Sequence, residues 1–302
     1  KTAYEIVDCD WSSDVCSSDL KYFENTGWVV AKNRDQDYVS HVSFRDELDP
    51  DVGEILVMYD HEIKYQEGMN HDGLVIVTTS LTPSIQAETN KKDGDNIYHA
   101  LRMKQDQAVK YLVRQKITGF IVVATPEKLI LIEAGRKDQG KGEYQSTVTE
   151  IPKTKTIVRT NHGIDLPWAG FQFGFTDTQD MWRKSSESRK ELAELALVRA
   201  KTPVQMLDAL ASRRHNDLQM NLFRVENKPR QMRTIFQWVL VPSDDVAIIR
   251  PIQTKLDLKV TKHKLRVEVI DNDIIKKTYD GRIKHFAKIE TINDGEIKTV
   301  IK

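Results

Sequence analysis

A two-residue alternation of apolar and polar side chains runs through most of this chain of 302 residues, broken by helical spacing in only a few places. Alternation at that period makes one face of a strand a core face and leaves the other for solvent or a second layer. Residues 27–31, 39–44 and 54–60 read as strands, the last being EILVMYD. Residues 61–65 and 74–79 read as two more, joined by a tight turn over the Asn/Asp/Gly-rich GMNHDG at 68–73. Residues 118–135 spell a hairpin, TGFIVVAT then PEK then LILIEAG, whose near-continuous apolar arms predict burial on both faces. Further strands are expected at 144–151, 156–160, 221–225, 233–241 and 246–252.

Helical spacing of Ile97, Ala100, Leu101, Ala108, Tyr111 and Leu112 predicts one helix over 96–115. Ser185, Ser186 and Glu187 have N-cap chemistry and predict the start of a second. Thr202 followed by Pro203 starts a short third. Strands, helix, strands, helices, strands is not the regular alternation of a doubly wound sheet. The order predicts an α+β chain: two antiparallel sheets stacked face to face, with helices outside. From Leu256 the pattern continues as Lys-rich strands, so 254–302 is expected to be a β-rich C-terminal extension whose lysines form a solvated strand face.

Residues 1–20 stand apart. DWSSDVCSSDL at 10–20 looks like the in-frame translation of a sequencing adapter, and KTAYEI at 1–6 matches the other end of the same oligonucleotide. The expectation is that residues 1–20 are foreign to the fold. They hold both cysteines, Cys9 and Cys16. Neither is then a genuine nucleophile, and a true start would lie upstream. The whole chain balances 45 Lys+Arg against 45 Asp+Glu, and omitting residues 1–20 leaves 44 against 40. That gives no case for nucleic acid, which asks for a strongly basic face. No run approaches the roughly 18 apolar residues of a membrane span. The 8 histidines are scattered without metal-ligand spacing, and no phosphate-binding glycine motif is present, so neither metal nor cofactor is expected.

Four motifs in fixed order carry chemistry: TGWVVAKNRDQD at 26–37, EGMNHDGLVIVTTS at 67–80, VRTNHGID at 158–165 and SSESRKELAE at 185–194. NDLQMNLFRV at 216–225, followed by a strand containing Trp238, is a weaker fifth. Together they resemble the acyl-CoA:6-aminopenicillanic acid acyltransferase-like branch of the N-terminal nucleophile hydrolases, the linear amide C–N hydrolases. Choloylglycine hydrolases and penicillin V acylases are more distant relatives. The resemblance covers about Thr26 to Ile252. It implies a four-layer αββα sandwich over 21–253, and cleavage or transfer of an acyl group at a linear amide of a small-molecule N-acyl substrate. The nucleophile would be an N-terminal cysteine thiol whose own α-amine is the base.

By that resemblance Asp35 holds the nucleophile's α-amine, and Lys32 stands where choloylglycine hydrolases place an arginine near the thiol. Asn161 donates to the substrate carbonyl or oxyanion. Arg189 reaches back toward the nucleophile from the start of a helix, and Ser80 falls near an oxyanion or substrate position. Arg34 either pairs with Asp35 or lies on the surface, Gln36 departs from the usual aromatic residue, and His162 is expected to be structural. Trp168 and Phe171, with Phe173, Phe175 and Trp182, line an acyl pocket or cap the core. With the nucleophile lost, the chain as written is expected to be inactive; the alternative is a catalytically dead protein that keeps the fold for binding. Substrate, localisation and oligomeric state are not legible.

Overall fold

The computed structural model describes residues 16–36, 40–81, 87–137, 142–172, 174, 176–213, 215, 217–224, 232–252, 254–259 and 265–270. Cys9, Phe173, Phe175 and the lysine-rich stretch from 271 onward lie outside the described residues.

Two sheets form. The first has six strands in the order β10 (Ile157–Arg159), β1 (Ser17–Phe23), β2 (Gly27–Gln36), β11 (Arg233–Val241), β12 (Val246–Pro251), β14 (Arg266–Val269). The second has eight: β13 (Thr254–Lys259), β3 (Ser40–Asp49), β4 (Gly53–Asp60), β5 (Tyr65–Asn70), β6 (Val75–Thr79), β7 (Gly119–Ala124), β8 (Leu129–Arg136), β9 (Tyr144–Ile151). Helices α1 (Ala87–Ala100) and α2 (Gln105–Arg114) cover the outer face of the eight-stranded sheet, and α3 (Asp177–Leu197) and α4 (Pro203–Leu210) cover the six-stranded one.

The pleat sorts side chains into three apolar layers. Trp28, Val30 and Trp238 meet Phe44, Met58 and Phe120 between the sheets. Ile55, Ile76 and Ile121 point the other way, to Ile97 and Leu112 of the first helix pair. Val29, Ala31 and Val239 face Ala193, Leu197 and Leu207 of the second. The result is the four-layer αββα sandwich. Among the described residues no helix is long and apolar enough to cross a membrane.

Several sequence expectations shift. The helix expected over 96–115 is two helices, because Arg102 and Met103 bond back three residues, to His99 and Ala100, and Lys104 is extended. Both pieces lie on the same sheet face, so the apolar stripe carries on across the break. The turn expected at 68–73 is shorter. Strand β5 includes Gly68, where a Cβ would stand 2.0 Å from Leu56 O, and the preceding reversal is at 61–64, with Asp60 Oδ1 accepting from Glu62 N at 3.0 Å. Helix α3 starts well before Ser185: Thr176 is its N-cap, accepting from Gln179 N at 3.1 Å. Ser185 and Ser186 are buried inside the helix. Residues 221–224 form no strand; a 3₁₀ turn, Leu218–Met220, leads into them.

The sheets are not wholly antiparallel. β13 runs parallel to β3, and β14 parallel to β12. These two strands come from the expected extension, yet they are the edges of the two sheets, and Leu256 and Leu265 enter the core between them.

β1 carries one conspicuous mismatch. Asp19 points toward α3, fully buried, with Oδ1 lacking a hydrogen bond and Ser17 Oγ only at 3.5 Å from Oδ2. Burial pushes its carboxyl well above the usual range, and the nearby Arg189 only partly opposes this. A raised folded pKa means the associated stability is fully present below the unfolded value of about 3.9 and is lost as pH rises through the folded value. Asp19→Val is therefore expected to stabilise the neutral-pH fold by about 1–3 kcal/mol and to remove this part of the acid-side gain. Urea unfolding at neutral and acidic pH checks it; an unchanged or lower midpoint for the variant contradicts it.

Candidate active site

Strand β2 is apolar in its first half and charged in its second, and all of it past Gly27 is buried. The pleat sends Lys32 and Arg34 between the sheets, and Asn33 and Asp35 toward the helices. Lys32 Nζ donates to both oxygens of Glu67 on β5, at 2.6 and 2.7 Å. Arg34 donates to Asp60 Oδ2 from Nε and Nη2, at 3.3 and 3.1 Å, and its Nη1 lies 3.8 Å from Glu67. Glu67 also accepts from Thr78 N at 3.0 Å. Arg34 thus pairs across the sandwich with Asp60, and Lys32 has a fully buried counter-ion.

Cys16 immediately precedes β1 and is fully buried. Its carbonyl accepts from Arg189 Nη1 at 3.2 Å, and Arg189 Nη2 donates to Asn161 Oδ1 at 2.8 Å. Asn161 Nδ2 donates to the carbonyl of Ser80 at 2.9 Å. Position 16, Asn161, Arg189 and Ser80 are therefore one connected cluster. Arg189 sits in the middle of α3 rather than in its first turn, and there it is buried. Burial pushes its guanidinium well down and Arg224 adds to this, while Asp35, Cys16 and Asp19 pull it back up.

Asp35 is buried on the helix side of β2, with Arg224 Nη1 at 3.8 Å from Oδ2. Neither carboxylate oxygen has a well-formed hydrogen bond among the described residues, and the Thr234 hydroxyl beside it only partly offsets its burial. Burial raises its pKa against the opposing charges of Arg224 and Arg189. Arg224 in turn donates from Nη2 to Ser185 Oγ at 2.9 Å.

His162 lies beside Ser186 Oγ, 2.8 Å from Nδ1, and Ser186 Oγ also accepts from Asn161 N at 2.8 Å. Burial, then Arg183 and Arg189, push the imidazole down to about 3. It is neutral at working pH and braces the loop. Phe171 stacks on Trp182 with ring centres 6.1 Å apart, and its N–H donates to Asn161 O at 3.0 Å. Trp168 lies over Gly135, where a Cβ would stand 3.2 Å from the ring. Among the described residues no group of three or more His, Cys, Asp or Glu side chains is arranged to hold a metal.

Sequence reasoning missed Arg224, Glu67, Asp60 and Ser186. Glu67 and Ser186 stand inside motifs read for other residues, and Arg224 lies in the weak fifth motif. Glu133 was passed over too, although a lone carboxylate in LILIEAG was a visible signal.

The layering and the cluster define a four-layer sandwich with a buried cysteine at the head of one of its strands. Among solved structures, the chain is similar to a mutant conjugated bile acid hydrolase from Clostridium perfringens, with a TM-score of 0.41, 11% identity, and coverage of 94% of this chain and 96% of that one. No protein-family model and no curated protein sequence matches the chain.

Two measurements probe the site's electrostatics. Glu67→Gln leaves Lys32 buried without its counter-charge and is expected to cost about 3–5 kcal/mol, whereas Lys32→Met with Glu67→Leu should recover most of that. Denaturant midpoints decide it, and a single variant as stable as the parent refutes the pairing. For His162 the folded pKa lies below the unfolded value of about 6.5. Its contribution is present above that value and is lost as pH falls toward 3. Nitrogen-15 shifts should show a neutral ring at pH 5; a protonated ring there contradicts the assignment.

Proposed function

We propose that this site belongs to an amide hydrolase or acyltransferase that cleaves a linear, non-peptide C–N bond of a small N-acyl substrate. The nucleophile is a cysteine at position 16 carrying a free α-amine. One observation carries the reading: the buried carboxylate of Asp35, short of hydrogen bonds, shares Arg189 and Arg224 as charged neighbours with Cys16. A buried carboxylate in that state favours an ammonium partner.

With a free amine at position 16, Asp35 holds and orients it. The amine, with an ordinary pKa of about 7.7–8.0, takes the thiol proton. The thiolate attacks the substrate carbonyl carbon, and the Asn161 side-chain amide donates to the developing oxyanion. As the C–N bond breaks, the α-ammonium returns its proton to the leaving amine. Water then cleaves the thioester to give the acid, or an acceptor amine takes the acyl group. Arg189 fixes the Asn161 amide through Oδ1 and the nucleophile's backbone through its carbonyl.

In the 302-residue chain the nitrogen of Cys16 is bonded to Val15 and is an amide, not a base. This chain is therefore the inactive form. The proposal concerns the position; reading residues 1–20 as adapter-derived makes Cys16 a stand-in for the native residue there. Cutting between Val15 and Cys16 should yield a chain that turns over members of an N-acyl amide panel and is labelled at one thiol, while the full chain does neither. Asp35→Asn in the cut chain should lower kcat/KM by roughly 100-fold. A cut chain without turnover or labelling sinks the proposal, as does a native reading frame with no cysteine at that position.

A further inference from the structure

We propose that Glu133 is the positioning residue of Asn161, acting through the loop that Asn161 closes. The inference rests on the reading of Asn161 as the oxyanion donor, but its geometry stands apart from any nucleophile. Glu133 is on β8, opposite Phe120 of β7, on the face shared with Leu129 and Leu131 between the sheets. It is fully buried there. A carboxylate in such a place is costly unless its oxygens are saturated with donors. Three consecutive backbone amides supply them: Ile164 N and Leu166 N to Oε1 at 2.8 and 2.9 Å, and Asp165 N to Oε2 at 2.8 Å.

Those amides belong to a closed loop, 161–171. Its neck is tied by Phe171 N to Asn161 O at 3.0 Å and by Gly163 N to Ala169 O at 2.9 Å. A β-bridge joins His162 to Gly170. The loop is wound so tightly that a Cβ on Gly163 would stand 1.9 Å from Leu166 O. A concave run of N–H groups of this kind is an anion cradle, and here a carboxylate from another strand fills it. Asn161 is the neck residue, so shifting 164–166 shifts the backbone from which its amide projects. Charge-assisted bonds to backbone N–H are the stronger kind, and losing three at once leaves three donors without their acceptor, the Leu166 N–H in a buried position.

The test uses the full 302-residue chain. In Glu133→Gln, which keeps the volume, the Asn161 side-chain amide resonances and the backbone amides of Ile164, Asp165 and Leu166 should move. Those of Leu131 on the same strand should stay. In Glu133→Ala, sodium acetate should return the Asn161 amide toward its parent position, and sodium chloride at equal ionic strength should not. An Asn161 amide unmoved in the Gln variant, or insensitive to acetate in the Ala variant, overturns the assignment. In the chain cut before Cys16, Glu133→Gln should lower kcat roughly tenfold with KM nearly unchanged, and acetate should restore kcat to the Ala variant. Spectral rescue in a chain that cleaves no amide would leave Glu133's role standing and remove the enzymatic reading; turnover indifferent to Glu133 would do the reverse.

Discussion

The constraint on which the rest of the molecule depends is the charged second half of β2, buried on both faces. Four consecutive residues, Lys32, Asn33, Arg34 and Asp35, have no access to solvent worth the name, and each must find partners in whichever layer its pleat faces. Taking an ion out of water costs several kcal/mol even after relaxation. The inter-sheet face is matched by Glu67 and Asp60, so the eight-stranded sheet must stand at one distance and one register. The helix face is matched less completely: Asn33 Nδ2 donates to the carbonyls of Leu210 and Leu222, at 3.0 and 2.8 Å, while Asp35 waits 3.8 Å from Arg224. A strand that fixes both neighbouring layers also fixes whatever pairs with it. β1 pairs with β2 from Ser17 opposite Asn33 onward, so the location of position 16 is a consequence of that register.

Much of this was legible, and the parts that were not share a cause. Near-continuous apolar arms around PEK located the hairpin of β7 and β8, and the Thr202 cap of α4 was readable from its side-chain chemistry. The N-terminus of α3 was misjudged because two serines resemble a cap; in the fold they satisfy partners instead, Ser185 Oγ donating to Gln219 O at 2.6 Å. That shift changes what Arg189 is. An arginine in a first turn faces the positive end of a helix and solvent, whereas one in the middle of a buried helix face needs acceptors, and Cys16 O and Asn161 Oδ1 supply them.

The ion pairs were illegible for a different reason. Lys32 and Glu67 are 35 residues apart and Arg34 and Asp60 are 26 apart, and neither separation is a period of any element. Partners across a sandwich are chosen by strand order and register, which local patterning does not encode. Glu133 is intermediate. Its presence in an apolar strand showed that something must satisfy it, but not that three amides of a loop beyond the next two strands would do so.

The charge balance around Arg189 joins the two unusual features of the chain. Arg189 and Arg224 are both buried, and the groups that oppose the fall of the Arg189 pKa are Asp35 first, then Cys16 and Asp19. Asp19 lies on β1, two strand positions beyond Ser17 on the helix-facing side, where an apolar residue would pack against Ala193 and Leu197 as Val29 and Ala31 do. Because burial pushes the Asp19 carboxyl toward its neutral form, the two arginines face one carboxylate, Asp35. An α-ammonium at position 16 would then compete with both for Asp35 and would be biased toward its neutral, basic form. In the proposed reading, a free amine poised as a base therefore follows from the two arginines that share Asp35 with it.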